Sequence, residues 1–321
     1  MTSLALSVRV ARKLQEAVGI CSFELVSADG RPLPSFSAGS HIEVYLPDGV
    51  TRQYSLCNRP HESHRYLIGV LKDPASRGGS NAMHESVHEG DLLQISAPKN
   101  HFTLTHSATR SVLLAGGIGI TPLLCMAERL SMTGADFELH YSARSADRMA
   151  FRERLLQSAF ATSVQLHLDD AGPEQKLDLT ALLAKPAAGA HLYVCGPKGF
   201  MDAVLNAARA AGWPEPQLHY EFFSAEVLRF DSDGSFEVKL ASSGKIIMVS
   251  KDKTVLQALT DAGVEVESSC EQGVCGTCLT RVLEGIPDHR DMFLTLDEQS
   301  LNDQFTPCCS RSKSLLLVLD L

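Results

Sequence analysis

Five of the nine cysteines fall late in the chain, at Cys270, Cys275, Cys278, Cys308 and Cys309, while Cys21, Cys57, Cys125 and Cys195 are scattered through the first 200 residues. No other feature restricts the fold as tightly. Cys270-Glu-Gln-Gly-Val-Cys275-Gly-Thr-Cys278 has the spacing C-x4-C-x2-C, and Cys308 follows after 29 intervening residues. Thiols clustered in a reducing compartment point to metal rather than to a disulfide framework. A loop that gives three sulfurs to one centre must wrap it closely. Gly273 and Gly276 would let its backbone approach and aim N–H groups at the sulfurs.

The spacing is the plant-type [2Fe–2S] pattern, in which two irons are held by four thiolates. A zinc knuckle or buried free thiols are the alternatives. Zinc prefers paired C-x2-C units, and only one such pair is present.

The remaining features place this loop in a larger protein. At roughly 100–200 residues per domain, 321 residues make two or three domains. A composition 44% hydrophobic and 21% charged excludes bulk disorder. No apolar run is long enough to span a membrane. Met1 to Gln15 carries Arg9, Arg12 and Lys13 among scattered apolar residues, unlike a signal peptide, so a cytoplasmic location is expected. A net charge of −9 argues against nucleic acid as a partner. Residues 231–321 hold 15 acidic and 8 basic side chains, which suits either a basic partner or a solvated surface.

Short alternating runs fill the first hundred residues: Ser7 to Val10, Cys21 to Val26, His41 to Leu46, Tyr66 to Leu71 and Leu92 to Ile95. Turn signals such as Asp29-Gly30 and Glu89-Gly90-Asp91 separate them, and only Asn81 to His88 reads as a helix. An antiparallel barrel or sandwich is expected. From Thr109 onward, strands at Val112 to Ala115, Phe137 to Tyr141, Val164 to Leu168 and His191 to Val194 alternate with helices near Pro122 to Met132, Ala150 to Gln157, Leu179 to Ala184 and Gly199 to Ala211. That alternation predicts a doubly wound parallel sheet. Arg229 to Ser235 reads as a linker. Strands at Phe236 to Ala241 and Lys245 to Val249 follow it, then a helix with the capping box Thr254/Gln257, the cysteine loop, and a last strand from Leu315 to Leu319.

Two nucleotide signals lie upstream. Arg52-Gln-Tyr54-Ser55 falls in a barrel strand, and Arg77-Gly78-Gly79-Ser80 opens the short helix, where free N–H groups face a phosphate. Arg52 offers a forked cation to the same phosphate. Tyr54 can cover an isoalloxazine face and Ser55 can hydrogen-bond near its N5. The second signal is Gly116-Gly117-Ile118-Gly119-Ile120-Thr121-Pro122, which follows the first parallel strand and suits a pyrophosphate, although Pro122 stands where a G-x-G-x-x-G motif would have its third glycine. Cys195-Gly196-Pro197 ends the fourth parallel strand, near where a nicotinamide ring would lie. Each signal alone is also consistent with an ordinary turn or a buried small residue.

Taken together, the order Arg52-x-Tyr54-Ser55, Gly78-Gly79-Ser80, Gly116 to Pro122, Cys195-Gly196-Pro197 and a C-terminal cysteine loop resembles the ferredoxin–NADP reductase superfamily. More closely it resembles the phthalate dioxygenase reductase family, with its vanillate O-demethylase and carnitine monooxygenase reductase relatives. Asp288-His289-Arg290-Asp291 matches that family as well. The resemblance implies three domains: a β-barrel flavin domain over 1–105, an NAD-binding domain over 106–228 and an α+β β-grasp ferredoxin domain over 236–321. It implies FMN, held by Arg52, Tyr54, Ser55, Gly79, Ser80 and Thr121, with Lys72 among the cofactor-binding residues. It implies NADH, bound about Gly116, Gly117, Gly119, Cys195, Gly196 and Pro197, with Arg144 and Ser145 near the adenosine ribose. Arg144 could equally admit a 2′-phosphate or be a solvated charge. Ser55, Cys195 and Phe223 would flank the reacting ring. The family-like ending Cys308-Cys309-Ser310-Arg311 makes Cys308 the fourth cluster ligand and Cys309 a neighbouring thiol.

The function implied is a relay. NADH gives two electrons together to the flavin, which releases them singly through the cluster to a Rieske-type oxygenase. The acidic C-terminal region would dock there, and His289 reads as a surface residue near the cluster. A stand-alone ferredoxin-type carrier and a flavin reductase uncoupled from any oxygenase are the competing readings. A flavin oxidase or nitric-oxide-detoxifying enzyme would need a further haem or substrate domain, for which no length remains.

Overall fold

The computed structural model describes residues 5–46, 49–74, 78–223, 230 and 232–321. Arg77 and Arg229 lie outside them. The chain separates into two compact units, Met1–Phe223 and Ser224–Leu321.

The first unit opens with strands β1 (Leu6–Ala17), β2 (Ile20–Ser27), β3 (Ser40–Tyr45), β4 (Thr51–Ser55) and β5 (Tyr66–Leu71), then helix α1 (Gly79–Glu85) and strands β6 (Leu92–Ile95) and β7 (Lys99–Asn100). They form an antiparallel sheet in the order β4-β3-β6-β1-β2-β5, with β7 on β3. β1 is much longer than its apolar alternation predicts. Its second half is the polar run Arg12 to Gln15, held in register by β2 as far as Ala17↔Ile20. A two-residue turn with Gly19 at positive φ closes that hairpin. The expected barrel curls but does not close by a continuous ladder among the described residues. The sheet's two edges meet at one bridge, Leu56↔Ile68, reinforced by the Cys57 N–H donating to the Leu67 carbonyl at 2.9 Å.

The same unit continues through β8 (Arg110–Gly116), α2 (Ile120–Thr133), β9 (Phe137–Ala143), α3 (Arg152–Leu156), β10 (Val164–Leu168), α4 (Leu179–Leu183), β11 (Ala190–Cys195), α5 (Lys198–Ala210) and β12 (Leu218–Glu221). Every pairing is parallel, in the order β10-β9-β8-β11-β12. β12 escaped the sequence because Leu218-His-Tyr-Glu is only four residues long and half polar. The boundary expected near residue 105 runs through a shared core. Ala17, Ile20, Ala38, Cys57 and Phe102 pack in one cluster with Leu123, Leu124 and Met126 of α2 and with Leu113, Tyr141 and Tyr193 of the parallel strands.

The second unit is a mixed sheet of β13 (Phe236–Leu240), β14 (Ile246–Val249), α6 (Val255–Asp261), β15 (Thr280–Glu284), β16 (Pro287–Asp288), α7 (Leu296–Leu301), β17 (Gln304–Phe305), β18 (Arg311–Ser312) and β19 (Leu316–Leu319), ordered β14-β13-β19-β15-β17 with a separate β16-β18 pair. Val255 and Leu259 of α6 join Val238, Val249, Phe305, Leu317 and Leu319 in its core. The Thr254/Gln257 capping box forms as expected. A second box, Thr295/Glu298, starts α7, a helix without an apolar stripe because Leu296 and Leu301 both face solvent.

Two expectations are corrected here. Asp233 does not lie in a solvated linker: its side chain is 7% exposed, and Arg290 holds it in an ion pair. The His289 side chain is likewise 7% exposed, and neither ring nitrogen has a hydrogen-bond partner. Both residues are polar by type, and only tertiary contacts draw them inside. Among the described residues, no helix is long and apolar enough to cross a membrane.

Candidate functional site

The parallel sheet reverses direction of growth between β8 and β11, and in such sheets ligands bind beyond the carboxyl ends of the strands at this switch point. The order β10-β9-β8-β11-β12 therefore picks out the turns after Gly116 and Cys195. The two turns touch. A Cβ on Gly119 would overlap the Cys195 carbonyl, and one on Gly196 would meet the Gly116 Cα at 3.0 Å. Both glycine-bearing motifs thus pack directly on each other, with the Phe200 ring against Gly116 and Gly196. Pro197 packs against Gly116, and Gly117 follows at positive φ.

Ser55 ends β4 and reaches this switch point from the first sheet. Its hydroxyl donates to Glu221 Oε2 at 3.4 Å, and Glu221 is the register partner of Cys195. Sequence reasoning missed Glu221 as a functional residue, because nothing in Glu221-Phe222-Phe223 shows that its carboxyl turns inward. Desolvation raises that carboxyl to about 8, opposed only by the Ser55 hydrogen bond, so it is largely protonated at neutral pH. Burial, and then the neighbouring Glu221, push the Cys195 thiol well up. Cys195 is fully buried and stays a thiol. Phe223, two residues beyond Glu221, is 36% exposed.

The phosphate elements are also adjacent. A Cβ on Gly79 would press on the Arg52 side chain, so Arg52 lies across the start of α1. Its guanidinium donates to the Thr51 carbonyl at 2.8 Å. Ser80 Oγ accepts from the Asp73 N–H at 3.1 Å, which anchors the turn. Tyr54 is half-buried, and burial raises its hydroxyl pKa. Thr121 is buried against β5, its methyl beside Gly69, and its hydroxyl donates to the Ile118 carbonyl at 3.1 Å. Lys72 is drawn instead to Glu85, at the far end of α1, at 2.8 Å. Arg144 is exposed after β9, and Ser145 beside it donates to Asp147.

In the second unit the predicted thiols converge. The Cys270 sulfur accepts hydrogen bonds from Cys275 and Cys308, which lower its pKa. The neighbouring Cys270, Cys278 and Cys309 thiols raise the Cys308 pKa, and all four remain free thiols. The Gln272 N–H points to the Cys270 sulfur at 3.3 Å and the Thr277 N–H to the Cys275 sulfur at 3.5 Å, the arrangement that favours thiolate. Cys308 faces Cys270 and Cys278, whereas Cys309 turns toward Thr306 Oγ1 at 3.2 Å. Gly273 and Gly276 both have positive φ. A Cβ on Gly273 would collide with the Cys309 sulfur and one on Gly276 with the Phe293 ring. No three His, Cys, Asp or Glu side chains among the described residues stand as a ready site for a single ion. Five convergent sulfurs, of which Cys309 turns aside to Thr306, and backbone N–H groups aimed at two of the others suit a four-thiolate iron–sulfur cluster.

Comparison with known proteins identifies the family. Residues 238–313 match the family described as "2Fe-2S iron-sulfur cluster binding domain", and residues 96–218 match "Dimethylamine monooxygenase subunit DmmA-like, N-terminal domain". The chain is 58% identical over 313 residues to the vanillate O-demethylase oxidoreductase of Pseudomonas putida, covering 97% of this chain and 98% of the relative. It is 39% identical to the phthalate dioxygenase reductase of Burkholderia cepacia, covering 98% and 97%. A solved phthalate dioxygenase reductase, described as a modular structure for electron transfer from pyridine nucleotides to [2Fe–2S], superposes with a TM-score of 0.78 at 39% identity, covering 99% of this chain and 98% of that one. Near-complete coverage by relatives of that kind, over the two switch-point turns and a cysteine loop in the expected order, shows that the chain belongs to the phthalate dioxygenase reductase family of oxygenase reductases.

Proposed function

We propose that this chain oxidises NADH and delivers single electrons to a Rieske-type oxygenase that demethylates a methoxylated aromatic acid of the vanillate type. The observation that carries the reading is the meeting of Ser55, Glu221 and Cys195 at the switch point of one unit, in a chain whose other unit gathers four thiols. The substrate class rests on the 58% identity to a vanillate O-demethylase oxidoreductase.

When bound, FMN supplies the conversion of a hydride donor's electron pair into single electrons, and a [2Fe–2S] cluster supplies their onward carriage. The protein holds and shapes the rest. Arg52, with the N–H groups at the start of α1 and the anchored Ser80, holds the flavin phosphate. Tyr54 covers a ring face, and Ser55 directs its hydroxyl toward the reacting edge. Gly116, Gly117, Gly119, Gly196 and Pro197 form the two touching turns that receive the dinucleotide. Cys195, protonated and buried, fills the end of β11 beneath the dinucleotide turn and does not act as a nucleophile. Glu221 holds a proton on its carboxyl next to Ser55, so no fixed negative charge opposes hydride arrival. Phe223 closes the site on the solvent side, and Arg144 and Ser145 receive the adenosine ribose. Thr121 acts by fixing the turn beneath the flavin. Lys72 acts at a distance, by pinning α1 through Glu85. Cys270, Cys275, Cys278 and Cys308 are the cluster ligands. The acidic second unit docks on the oxygenase, and the chain works in the cytoplasm, where its thiols stay reduced.

The test is reconstitution with a vanillate-type oxygenase component. NADH oxidation coupled to formaldehyde release from vanillate is the expected result. Flavin and cluster bleaching by NADH without coupled product would refute the substrate class. A protein that releases no FMN on acid treatment would refute the flavin assignment.

A further inference from the structure

Strand β12 closes one edge of the parallel sheet. Among the described residues it pairs only with β11, through the register pairs from Leu192↔Leu218 to Cys195↔Glu221. Glu221 is its last residue. The bond from Ser55 to the Glu221 carboxyl is 3.4 Å long, near the limit of a hydrogen bond, so a displacement of a few tenths of an ångström breaks it. That bond also joins the curled sheet to the parallel sheet. A weak bond at the end of an edge strand needs a firmer link nearby to hold its geometry.

His219 stands two residues before Glu221, on the same face of β12. Its ring stacks on Tyr193, its register partner, with centroids 4.6 Å apart and planes 13° from parallel. Its Nε2 meets His191 Nδ1 at 2.8 Å and Thr105 Oγ1 at 3.4 Å. Thr105 belongs to the segment that leaves β7 of the curled sheet for β8, and its N–H donates to the Tyr193 hydroxyl at 2.8 Å. Phe102, earlier in that segment, packs on the same Tyr193 ring with centroids 6.0 Å apart. One imidazole thus ties β12 both to β11 and to the crossing segment. Burial, then the neighbouring His191, lower His219 to about 4, and burial lowers His191 as well. At neutral pH the two rings therefore meet as neutral imidazoles, one donating to the other.

The opposite edge of the sheet has an imidazole pair of its own. His140 Nδ1 and His167 Nε2 meet at 3.1 Å between β9 and β10. There His167 reaches the backbone of Gln175 and Lys176, on the parallel-sheet side of the molecule. The two pairs share their chemistry and differ in what they fasten.

We propose that His219 is a positioning residue for the Ser55–Glu221 pair: tied to Tyr193, His191 and Thr105, it sets where edge strand β12 stands against the curled sheet and keeps the Glu221 carboxyl within reach of Ser55. The inference rests on the role given above to that pair. Loss of the ring lets β12 drift and admits water to the carboxyl, which moves its pKa back down.

Two readouts on the holoprotein test it. The first is infrared titration of the protonated Glu221 carboxyl, isolated as the difference from Glu221→Gln. His219→Ala lowers its midpoint by about one pH unit or more, whereas His167→Ala, which loosens the opposite edge, leaves it in place. The second is anaerobic stopped-flow mixing with NADH, in which the flavin phase reports hydride arrival. His219→Ala slows the flavin phase about tenfold. In a Glu221→Gln background the same substitution slows it no further, because His219 acts through Glu221. If His219→Ala does not fold, Thr105→Val, which keeps the side-chain shape and removes the hydroxyl, must lower the midpoint in the same direction. An unmoved midpoint in the variant that folds, an equal shift in His167→Ala, or slowing that adds fully to that of Glu221→Gln overturns the inference. A wild type with no protonated Glu221 band at neutral pH refutes the neutral carboxyl of the proposed function instead, and the double-substitution rates then decide the inference. A wild type with no flavin phase refutes the proposed function, and the midpoints then decide it.

Discussion

Replacing Glu221 by glutamine removes a titration that the fold opposes. Desolvation raises the carboxyl from its ordinary 4.5 to about 8. Unfolded, the same group ionises near 4.5. Below that pH both states are protonated and the group is neutral in its effect. As pH rises toward 8, the unfolded chain releases a proton that the folded protein keeps, and stability falls. Each pH unit in this window is worth about 1.4 kcal/mol for a full shift. Because part of the residue reaches solvent, about half that slope is the safer expectation, or about 1.4 kcal/mol between pH 6 and pH 8. Glu221→Gln keeps the shape and the Ser55 partner but does not titrate. Its stability advantage over wild type therefore grows by about 1–2 kcal/mol across that interval. Urea melts read through the single Trp213, buried in the same unit with its indole N–H on the Leu183 carbonyl, measure the difference directly. Parallel stability curves for the two proteins between pH 6 and 8 would show that the carboxyl is solvated and ionised, which would remove the argument for a neutral group beside Ser55.

Three further outcomes are expected. Cys308→Ser abolishes the cluster's visible absorbance and iron content while Cys309→Ser spares both; the opposite pattern would reassign the fourth ligand. Gly119→Ala places a methyl against the Cys195 carbonyl and costs about 1–3 kcal/mol, seen as a lower Trp213 melting midpoint together with a slower flavin phase. His41 and His219 are lowered to about 4, chiefly by burial, so the first unit loses stability as pH falls from about 6.5 to 4. Because His219 stacks on Tyr193 at 4.6 Å, His219→Phe keeps the stack and should flatten that acid limb.

The parts of the fold with period and punctuation were readable in the sequence. Val112 to Ala115 and His191 to Val194 announced parallel strands because both are short runs dominated by apolar residues, and the Thr254/Gln257 box announced its helix. Cys270, Cys275 and Cys278 were legible because a cluster dictates its own spacing. What stayed hidden was polar and buried. The β12 strand carries His219 and Glu221 at positions where a pattern reader expects apolar side chains. Asp233 sits in a run rich in Asp and Ser that reads as solvent-facing, and only the Arg290 fork 57 residues away brings it inside. Lys72, expected among the cofactor-binding residues, pairs with Glu85 of α1 at 2.8 Å. Charge pairing between distant segments leaves no periodic trace.

The core shared by the curled sheet and α2 has a consequence for how such a chain can be recombined. A crossover near residue 105 would split one apolar cluster and leave Phe102, Ala38 and Cys57 without the α2 side chains that cover them. A crossover between 223 and 230 divides the chain ahead of a unit whose own core is drawn entirely from residue 236 onward. If it keeps residues 230–234 with that unit, the incoming segment carries its own fastening. The electron outlet can therefore be exchanged between genes as a finished cassette, while the front end is inherited whole.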